Sequence, residues 1–350
     1  MYESRPSARP GTDRHVQSLA IGIGGRPAGI WSAAAAWLAS SRSALALLYA
    51  IPVLYMAGYF FPPVNHDVAT LIDVARRWLA GERLYLEVID VNPPLTMILH
   101  AIPVVLEGWT GLAATTWWVA LTAAGVVAAA FACRRLVALS PYGKGYLARD
   151  AVPLIILFVM AAAQSHEFGQ REHLMLLAGI PYALLAGIRA DRPAPKQLAL
   201  PIAIAAGIGF ALKPYFLVMP TLIEGYLLLR RGPRAAFADP VPWIIGAWVA
   251  IHAAIMVFVT PEYLTYTYPI AVGTYLAIGS GPFEVLFGSA MAATTVALML
   301  LAPITFLLRG EPGYVALCLF AIGGVISCVA QGKGWSYHTM PAVGGTIILL

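Results

Sequence analysis

Residues 65–95, NHDVATLIDVARRWLAGERLYLEVIDVNPPL, decide how the rest of this sequence is interpreted. The stretch carries eight charged residues, whereas the segments on both sides of it are long and apolar. Its apolar residues recur at helical spacing, namely Val68, Leu71, Ile72, Ala75, Trp78 and Leu79. The charged residues fall on the opposite side, so the pattern predicts an amphipathic helix over residues 68–80 that lies in a membrane interface.

Polar residues at both ends of this stretch are candidates for chemistry. Asp67 stands at the start of the predicted helix, where it either caps free backbone N–H groups or presents a carboxylate at the membrane surface. Asn92 precedes two prolines, which hold it extended and begin the next apolar helix. We therefore expect His66, Asp90 and Asn92 to contact a substrate.

The composition is that of a membrane protein. Of 350 residues, 60% are hydrophobic and 11% are charged, and the mean hydropathy is +0.76. A soluble domain usually carries about a quarter charged residues. The net charge of +5 arises from short basic clusters between apolar spans, which is typical of cytoplasmic loops rather than of nucleic-acid binding. The three cysteines lie in or beside apolar spans and predict neither a disulfide framework nor a zinc site.

The apolar runs predict an all-α, polytopic transmembrane helical bundle of about 10–11 membrane segments, since each crossing needs roughly 20 residues. The predicted spans are 44–62, 93–107, 112–132, 151–165, 172–189, 198–213, 214–230, 241–260, 285–308, 313–330 and 338–350. Residues 1–43 are expected to form a disordered cytoplasmic tail, and residues 44–350 one transmembrane domain with its first outer loop at 63–92. The last span reaches Leu350, which leaves open that the natural chain continues.

The Lys and Arg residues predict which loops face the cytoplasm. They gather in the N-terminal tail, in 134–149, 189–196 and 230–234, and at Arg309. The expected location is therefore a bacterial inner membrane, with the N-terminus in the cytoplasm. Three apolar segments precede Arg134. If each of them crossed the membrane from a cytoplasmic N-terminus, Arg134 would lie on the outer face, which conflicts with this orientation. Either residues 93–107 are re-entrant, or residues 20–40 contain a further helix.

The second outer loop, QSHEFGQREHLM over 164–175, concentrates ionisable residues: His166, Glu167, Arg171, Glu172 and His173. The two histidines are two helical turns apart and share a face unless Gly169 breaks the helix. Together with Glu167 they could hold a divalent metal, although no tight metal motif is present. The alternative is a loop whose residues pair with each other and cap the next helix.

Two lysines and a group of aromatic residues lie in the later outer loops. Lys213, in GFALKPYF, either snorkels to the interface or binds a lipid-linked phosphate. The last outer loop, QGKGWSYHTMPA, places Lys333 and His338 beside Trp335 and Tyr337. These aromatic residues either form an interfacial belt or stack against a sugar.

The order of these features resembles a known family. An apolar span is followed by an outer loop beginning with Asp67, an interfacial helix ending in LAGERLY, and DVNPPL leading into the next span. This order resembles the start of the GT-C superfamily of integral membrane glycosyltransferases. It is most similar to the branch of protein mannosyltransferases and lipid A aminoarabinose transferases. The similarity covers roughly residues 45–110, with weaker support as far as Pro341.

The resemblance implies transfer of a sugar from a polyprenyl-phosphate carrier to a lipid, glycan or protein acceptor on the outer face, with inversion. It implies Asp67 as general base or site-stabilising acid, and Glu167 or Glu172 as a second catalytic acid. Phosphate partners would be Arg171, Lys213, Lys333 and His338. No cofactor is required, although a divalent metal could bind. Members often carry a lysine before the two prolines, where this chain has Asn92.

Two other functions stay open at this stage. A transporter or flippase for a lipid-linked or anionic substrate would also use broken helices such as the one at Lys213. A non-catalytic assembly subunit could share the same fold. The charged loops cluster at one surface and no repeated halves are evident, which favours the glycosyltransferase.

Overall fold

The computed structural model describes residues 42–61, 64–140, 146–288 and 291–350. The chain divides between residues 45 and 46, and apart from residues 42–45 everything described below belongs to the second unit, residues 46–350. The predicted disordered tail lies almost entirely outside the described residues, as does the alternative helix in residues 20–40.

Within the described ranges the regular structure is helical, and the one extended pairing there is an isolated bridge between Leu84 and Val88. The first α-helices are α1 (Arg42–Gly58), α2 (His66–Leu79), α3 (Pro94–Thr110), α4 (Ala114–Leu139), α5 (Tyr146–Ala161), α6 (Arg171–Arg189), α7 (Lys196–Ala211) and α8 (Val218–Arg231). The next are α9 (Pro233–Phe237), α10 (Pro240–Ala254), α11 (Tyr268–Ala277), α12 (Pro282–Phe287), α13 (Met291–Ile304), α14 (Pro312–Gln331) and α15 (Ser336–Leu349). Short 3₁₀ or π segments cover Ser165–Glu167, Pro214–Leu217, Ile255–Val259, Tyr263–Thr267 and Thr305–Arg309. The predicted all-α class is confirmed for these residues.

Among the described residues, three helices are long and apolar enough to cross a membrane: Ala114–Leu139, Pro240–Val259 and Pro312–Gln331. Shorter apolar helices are Leu45–Gly58, Asp150–Ala161, Lys196–Ala211 and Met291–Leu307. These helices are consistent with a membrane protein. The larger number of crossings, the cellular location and the orientation stay predictions.

Two predicted segments differ from the helices. The span predicted over 285–308 is divided between α12 and α13. The outer loop predicted over 261–282 contains α11. Both α11 and α12 have a proline in the first helical turn, where the missing N–H costs little, so these prolines begin helices rather than interrupt them.

Helices α2 and α3 pack against each other. Met97, in the first turn of α3, packs in one apolar cluster with Leu71 of α2. Glu107, near the end of α3, forms an ion pair of 2.5 Å with Arg76 of α2. Both ends of α3 therefore stay beside α2. An interfacial α2 would place α3 in the same interface, which favours the re-entrant solution to the parity conflict.

Helix α6 is the most buried helix and carries charged residues at both ends. Its close contacts require small residues, since a Cβ atom at Gly187 would come within 2.6 Å of the Cα of Gly313 in α14. One end carries Arg171, and the other carries Arg189, which pairs with Glu224 and Asp239. At 1.5 Å per residue these ends are about 27 Å apart, close to the thickness of a hydrocarbon core.

Candidate functional site

Asn65 caps the N-terminus of α2, so the carboxylate of Asp67 is not needed as the cap. The backbone N–H of Asp67 donates to Oδ1 of Asn65 at 2.8 Å, so Asn65 is the helix cap and the capping alternative for Asp67 is wrong. Asn is a preferred cap because its short side chain reaches the first free N–H groups. The Asp67 side chain is 29% exposed, and its oxygens lie 3.2 Å from Nε2 of His66 and 3.1 Å from Nε2 of Gln170.

The segment 164–170, predicted to belong to the second outer loop, turns sharply before α6. Ser165 and Gly169 have positive φ angles of 47° and 85°. A side chain at Gly169 would also meet the indole nitrogen of Trp118, at 2.5 Å from its Cβ atom. The helix therefore breaks at Gly169, and the two histidines do not share a face. The His166 side chain is 73% exposed, whereas His173 is fully buried.

His173 uses both ring nitrogens in backbone hydrogen bonds. Its Nδ1 accepts from the N–H of Gly169 at 3.0 Å, and its Nε2 lies 2.8 Å from the carbonyl oxygen of Met160. His173 therefore connects the loop to the end of α5 and does not contact a substrate. The predicted metal set of His166, Glu167 and His173 is not assembled, because the His173 ring faces the backbone. Among the described residues, no three His, Cys, Asp or Glu side chains converge in a metal-binding arrangement.

Glu167 links three segments that are far apart in the sequence. Its oxygens accept from Nδ2 of Asn65 at 2.9 Å and from Oγ of Ser336 at 2.6 Å. Nε2 of His166 lies 3.0 Å from the same carboxylate. With three polar partners, this side chain is placed to join the loops rather than to meet a substrate.

Glu172 and Lys213 form a buried ion pair. Lys213 Nζ lies 2.5 Å from Oε1 of Glu172 and donates to Oε1 of Gln331 at 3.1 Å. Nε2 of His338 lies 3.8 Å from the same Glu172 oxygen, and the Tyr337 ring centroid lies 5.4 Å from Lys213 Nζ. Lys213 therefore does not snorkel outward, because an anionic partner and an aromatic ring surround it.

We expect Glu172→Leu to lower the free energy of unfolding by about 3–5 kcal/mol, since it leaves Lys213 buried without its counter-ion. The double variant Glu172→Leu, Lys213→Met should recover most of this loss, because an apolar pair can replace a buried ion pair. Thermal unfolding in detergent measures both. Glu82→Gln, which breaks an exposed pair with Arg77, is the matched control and should change stability little. Equal destabilisation by the single and double variants would contradict the expectation.

Arg171 is a buried cation that forms no ion pair among the described residues. It is 7% exposed, and its Nε has no hydrogen-bond partner in those ranges. Asp90 lies within electrostatic range of Arg171, and its Oδ1 accepts from both the backbone and side-chain nitrogens of Asn92 at 2.7 Å. Burial raises the pKa of Asp90, and the Asn92 hydrogen bonds and the charge of Arg171 lower it in part. Asp90 and Asn92 thus pair with each other rather than with Arg171.

Several buried polar atoms near Arg171 have no hydrogen-bond partner among the described residues. They are Thr96 Oγ1, His100 Nε2, Trp118 Nε1, Gln170 Oε1, Arg171 Nε, Glu172 Oε2 and His338 Nδ1. The others in the described ranges are Tyr226 Oη, Thr267 Oγ1 and Gln164 Oε1, and the Gln164 side chain bonds to the backbone of Val159 instead of to the site. Native proteins leave few such atoms, and each calls for a water or a ligand. Donors and acceptors are mixed here, which suits a ligand that combines an anion with hydroxyl groups.

The structure therefore brings together residues 65–67, 165–172, Lys213 and 331–338. Lys333 is buried, with Nζ 5.8 Å from the Trp335 ring centroid, whereas His66 lies on the exposed rim. Residues that the sequence analysis missed are Asn65, His100, Gln170, Gln331 and Ser336. Only Asn65 had a signal, because it directly precedes the predicted helix.

Comparisons with protein-family models, with curated proteins and with solved structures gave no match. The resemblance to the GT-C superfamily therefore stays an expectation, and function has to be argued from the chemistry of this site.

Proposed function

We propose that this protein is a membrane glycosyltransferase that moves a sugar from a polyprenyl-phosphate carrier to an acceptor at the outer face of the membrane. The observation that carries the proposal is Arg171, a buried guanidinium that forms no ion pair in the described part of the chain. Burying a charge without a counter-ion is costly, so such a residue is typical of a site whose anion arrives with the ligand. A lipid-linked phosphate supplies that charge, and guanidinium binds phosphate well.

The neighbouring groups supply the rest of a transfer reaction. Asp67 takes the proton of the acceptor hydroxyl, while the acceptor oxygen bonds to the anomeric carbon of the sugar. The bond between that carbon and the carrier phosphate breaks, and its electron pair leaves with the phosphate. Arg171 and Lys213 neutralise the departing charge, and Glu172 holds Lys213 in place. Direct displacement inverts the anomeric carbon.

An apolar groove offers a place for the polyprenyl tail. It has a volume of about 1170 Å³ and lies between α1 and α4. Its walls are mainly alanine, valine and phenylalanine side chains, including Phe60 near the outer end of α1. The adjacent Tyr59 stacks on Phe168 of the second outer loop, with ring centroids 4.1 Å apart. A tail in this groove would therefore begin close to the polar cluster.

Binding of farnesyl phosphate, a short polyprenyl phosphate, tests the anion site directly. Purified protein in detergent should bind farnesyl phosphate at least 10-fold more tightly than farnesol, because a charge-assisted hydrogen bond contributes about 1.5–3 kcal/mol. Equal affinity for the two compounds would remove the support that Arg171 gives to the proposal.

The proposed topology places α2 and α3 together at the outer surface. In a variant without Cys133, Cys318 and Cys328, we expect a cysteine at Thr70 or Leu112 to react with a membrane-impermeant maleimide on intact cells. Thr70 is exposed on α2, and Leu112 is 54% exposed in the turn after α3. A cysteine at Gln197 is the control and should react only after permeabilisation. Labelling of Leu112 only after permeabilisation would show that α3 crosses the membrane.

One observation also fits a transporter or flippase. Lys213 lies between α7 and a 3₁₀ turn at Pro214–Leu217, and broken helices with a charged residue are common at transporter binding sites. The two functions differ in whether the bond between sugar and phosphate is cleaved.

A further inference from the structure

Gln170 joins the outer end of α6 to the start of α2. It is 1% exposed and is the residue before α6 begins. Its Nε2 donates to Oδ1 of Asn65 at 2.9 Å and to Oδ2 of Asp67 at 3.1 Å. The next residue in the chain is Arg171. One side chain therefore connects the carboxylate of Asp67 with the backbone that carries the unpartnered guanidinium.

The surrounding hydrogen bonds determine which way the Gln170 amide points. Oδ1 of Asn65 is identified as the oxygen because it also accepts from the backbone N–H of Asp67. The amide nitrogen of Gln170 thus faces two acceptors, a carbonyl and a carboxylate, and the reversed amide would face them with its oxygen. The Gln170 Oε1 atom therefore points away from Asp67. It is buried and has no hydrogen-bond partner in the described part of the chain.

We propose that Gln170 is a positioning residue that holds the carboxylate of Asp67 in register with Arg171, and that its free Oε1 accepts a hydrogen bond from a substrate hydroxyl. The inference rests on the proposed function and deepens it. The reacting hydroxyl has one hydrogen, which goes to Asp67. The Oε1 atom therefore accepts a hydrogen bond from a second hydroxyl of the bound substrates. A polyhydroxylated ligand provides such a neighbour, whereas a ligand without hydroxyls would leave the oxygen buried and unpaired.

Three single variants test the positioning role. Gln170→Leu removes both hydrogen bonds from the amide nitrogen, and Gln170→Glu keeps the shape but places an oxygen against Asp67 and Asn65. Gln164→Leu is the matched control, because Gln164 is also buried with a free amide oxygen but donates to the backbone of Val159. Turnover of a panel of farnesyl-phosphate sugars is measured together with the affinity for farnesyl phosphate.

Gln170→Leu should lower kcat about 10- to 100-fold, because small misplacement of a reacting group has effects of this size. The affinity for farnesyl phosphate should stay within twofold. Gln170→Glu should be at least as impaired as Gln170→Leu, although it has the native shape, and Gln164→Leu should retain activity. Native activity in Gln170→Glu would show that only the shape of the side chain matters at this position, and it would overturn the inference.

The hydroxyl contact is tested with a 2-deoxy version of the farnesyl-phosphate sugar that is turned over. One possibility is that Oε1 accepts a hydrogen bond from the 2-hydroxyl of the donor sugar. In that case the native protein turns over the 2-deoxy sugar more slowly than the parent sugar, whereas Gln170→Leu turns over both at the same rate. The other possibility is that Oε1 accepts a hydrogen bond from an acceptor hydroxyl. In that case the 2-deoxy sugar lowers the turnover rate of both proteins by the same factor, and Gln170→Leu raises the KM for the acceptor. A 2-deoxy effect of equal size in both proteins with an unchanged acceptor KM would show that Oε1 contacts neither.

Amide hydrogen exchange separates this inference from the proposed function. If Gln170 positions the start of α2, Gln170→Leu should speed exchange over residues 65–72 at least several-fold, and Gln164→Leu should not. This readout requires no turnover, so an inactive native protein would contradict the proposed function and leave the positioning role to be judged by exchange. Unchanged exchange in Gln170→Leu would overturn the positioning role, even if sugar transfer is found.

Discussion

Asp67→Asn is expected to lower sugar transfer about 100- to 10,000-fold, the range that a positioned general base contributes. Asparagine keeps the shape and can still contact Gln170, but it cannot take a proton from the acceptor hydroxyl. Binding of farnesyl phosphate should change little, because the proposed anion site is formed by Arg171 and Lys213. Steady-state turnover and equilibrium binding of the purified variant measure the two effects separately.

Asp73→Asn provides the control for that experiment. Asp73 lies on the exposed side of the same helix, so its replacement makes the same change of charge away from the cluster. It should retain native turnover. Full activity in Asp67→Asn would exclude Asp67 as the base and would direct attention to Asp90, whose carboxylate is held by two hydrogen bonds from Asn92.

Arg171→Leu should weaken farnesyl phosphate binding about 10- to 100-fold, the expected effect of losing charge-assisted hydrogen bonds. The same variant should be as stable as the native protein or more stable, because it removes a buried charge that has no partner in the described residues. Affinity and stability would thus move in opposite directions. Calorimetric binding and thermal unfolding in detergent measure the two quantities.

Arg83→Gln is the comparison for Arg171. Arg83 is an exposed cation in the segment after α2, and its guanidinium lies 3.8 Å from the carboxylate of Glu262. Its removal should leave both farnesyl phosphate binding and stability near native values. If Arg171→Leu were strongly destabilising and bound farnesyl phosphate normally, Arg171 would be a structural residue and the anion site would lie elsewhere.

The sequence predicted α2 well because an amphipathic repeat depends only on local spacing. Val68, Leu71 and Ile72 are buried as expected, and the helix begins within two residues of the predicted start. The break at Gly169 could also be anticipated, since glycine accommodates a positive φ angle. These features are set by neighbours in the chain and need no knowledge of tertiary packing.

The pairing of the site residues could not be predicted in the same way. Lys213 meets Glu172 across 41 residues, and Ser336 meets Glu167 across 169 residues. Such contacts depend on how the helices pack, and a single sequence carries no record of that packing. Gln170 illustrates the limit, because a polar residue in a loop gives no sign that it will be buried between two helices.

Reconstitution with a farnesyl-phosphate sugar labelled in the sugar is the most direct test that this protein transfers glycosyl groups. Proteoliposomes would receive a panel of such donors and a cell-envelope extract as acceptor. The proposed function predicts that one donor is cleaved, that the label appears in an envelope product, and that free farnesyl phosphate accumulates in equal amount. Movement of intact donor across the bilayer without cleavage would contradict it and would identify a transporter.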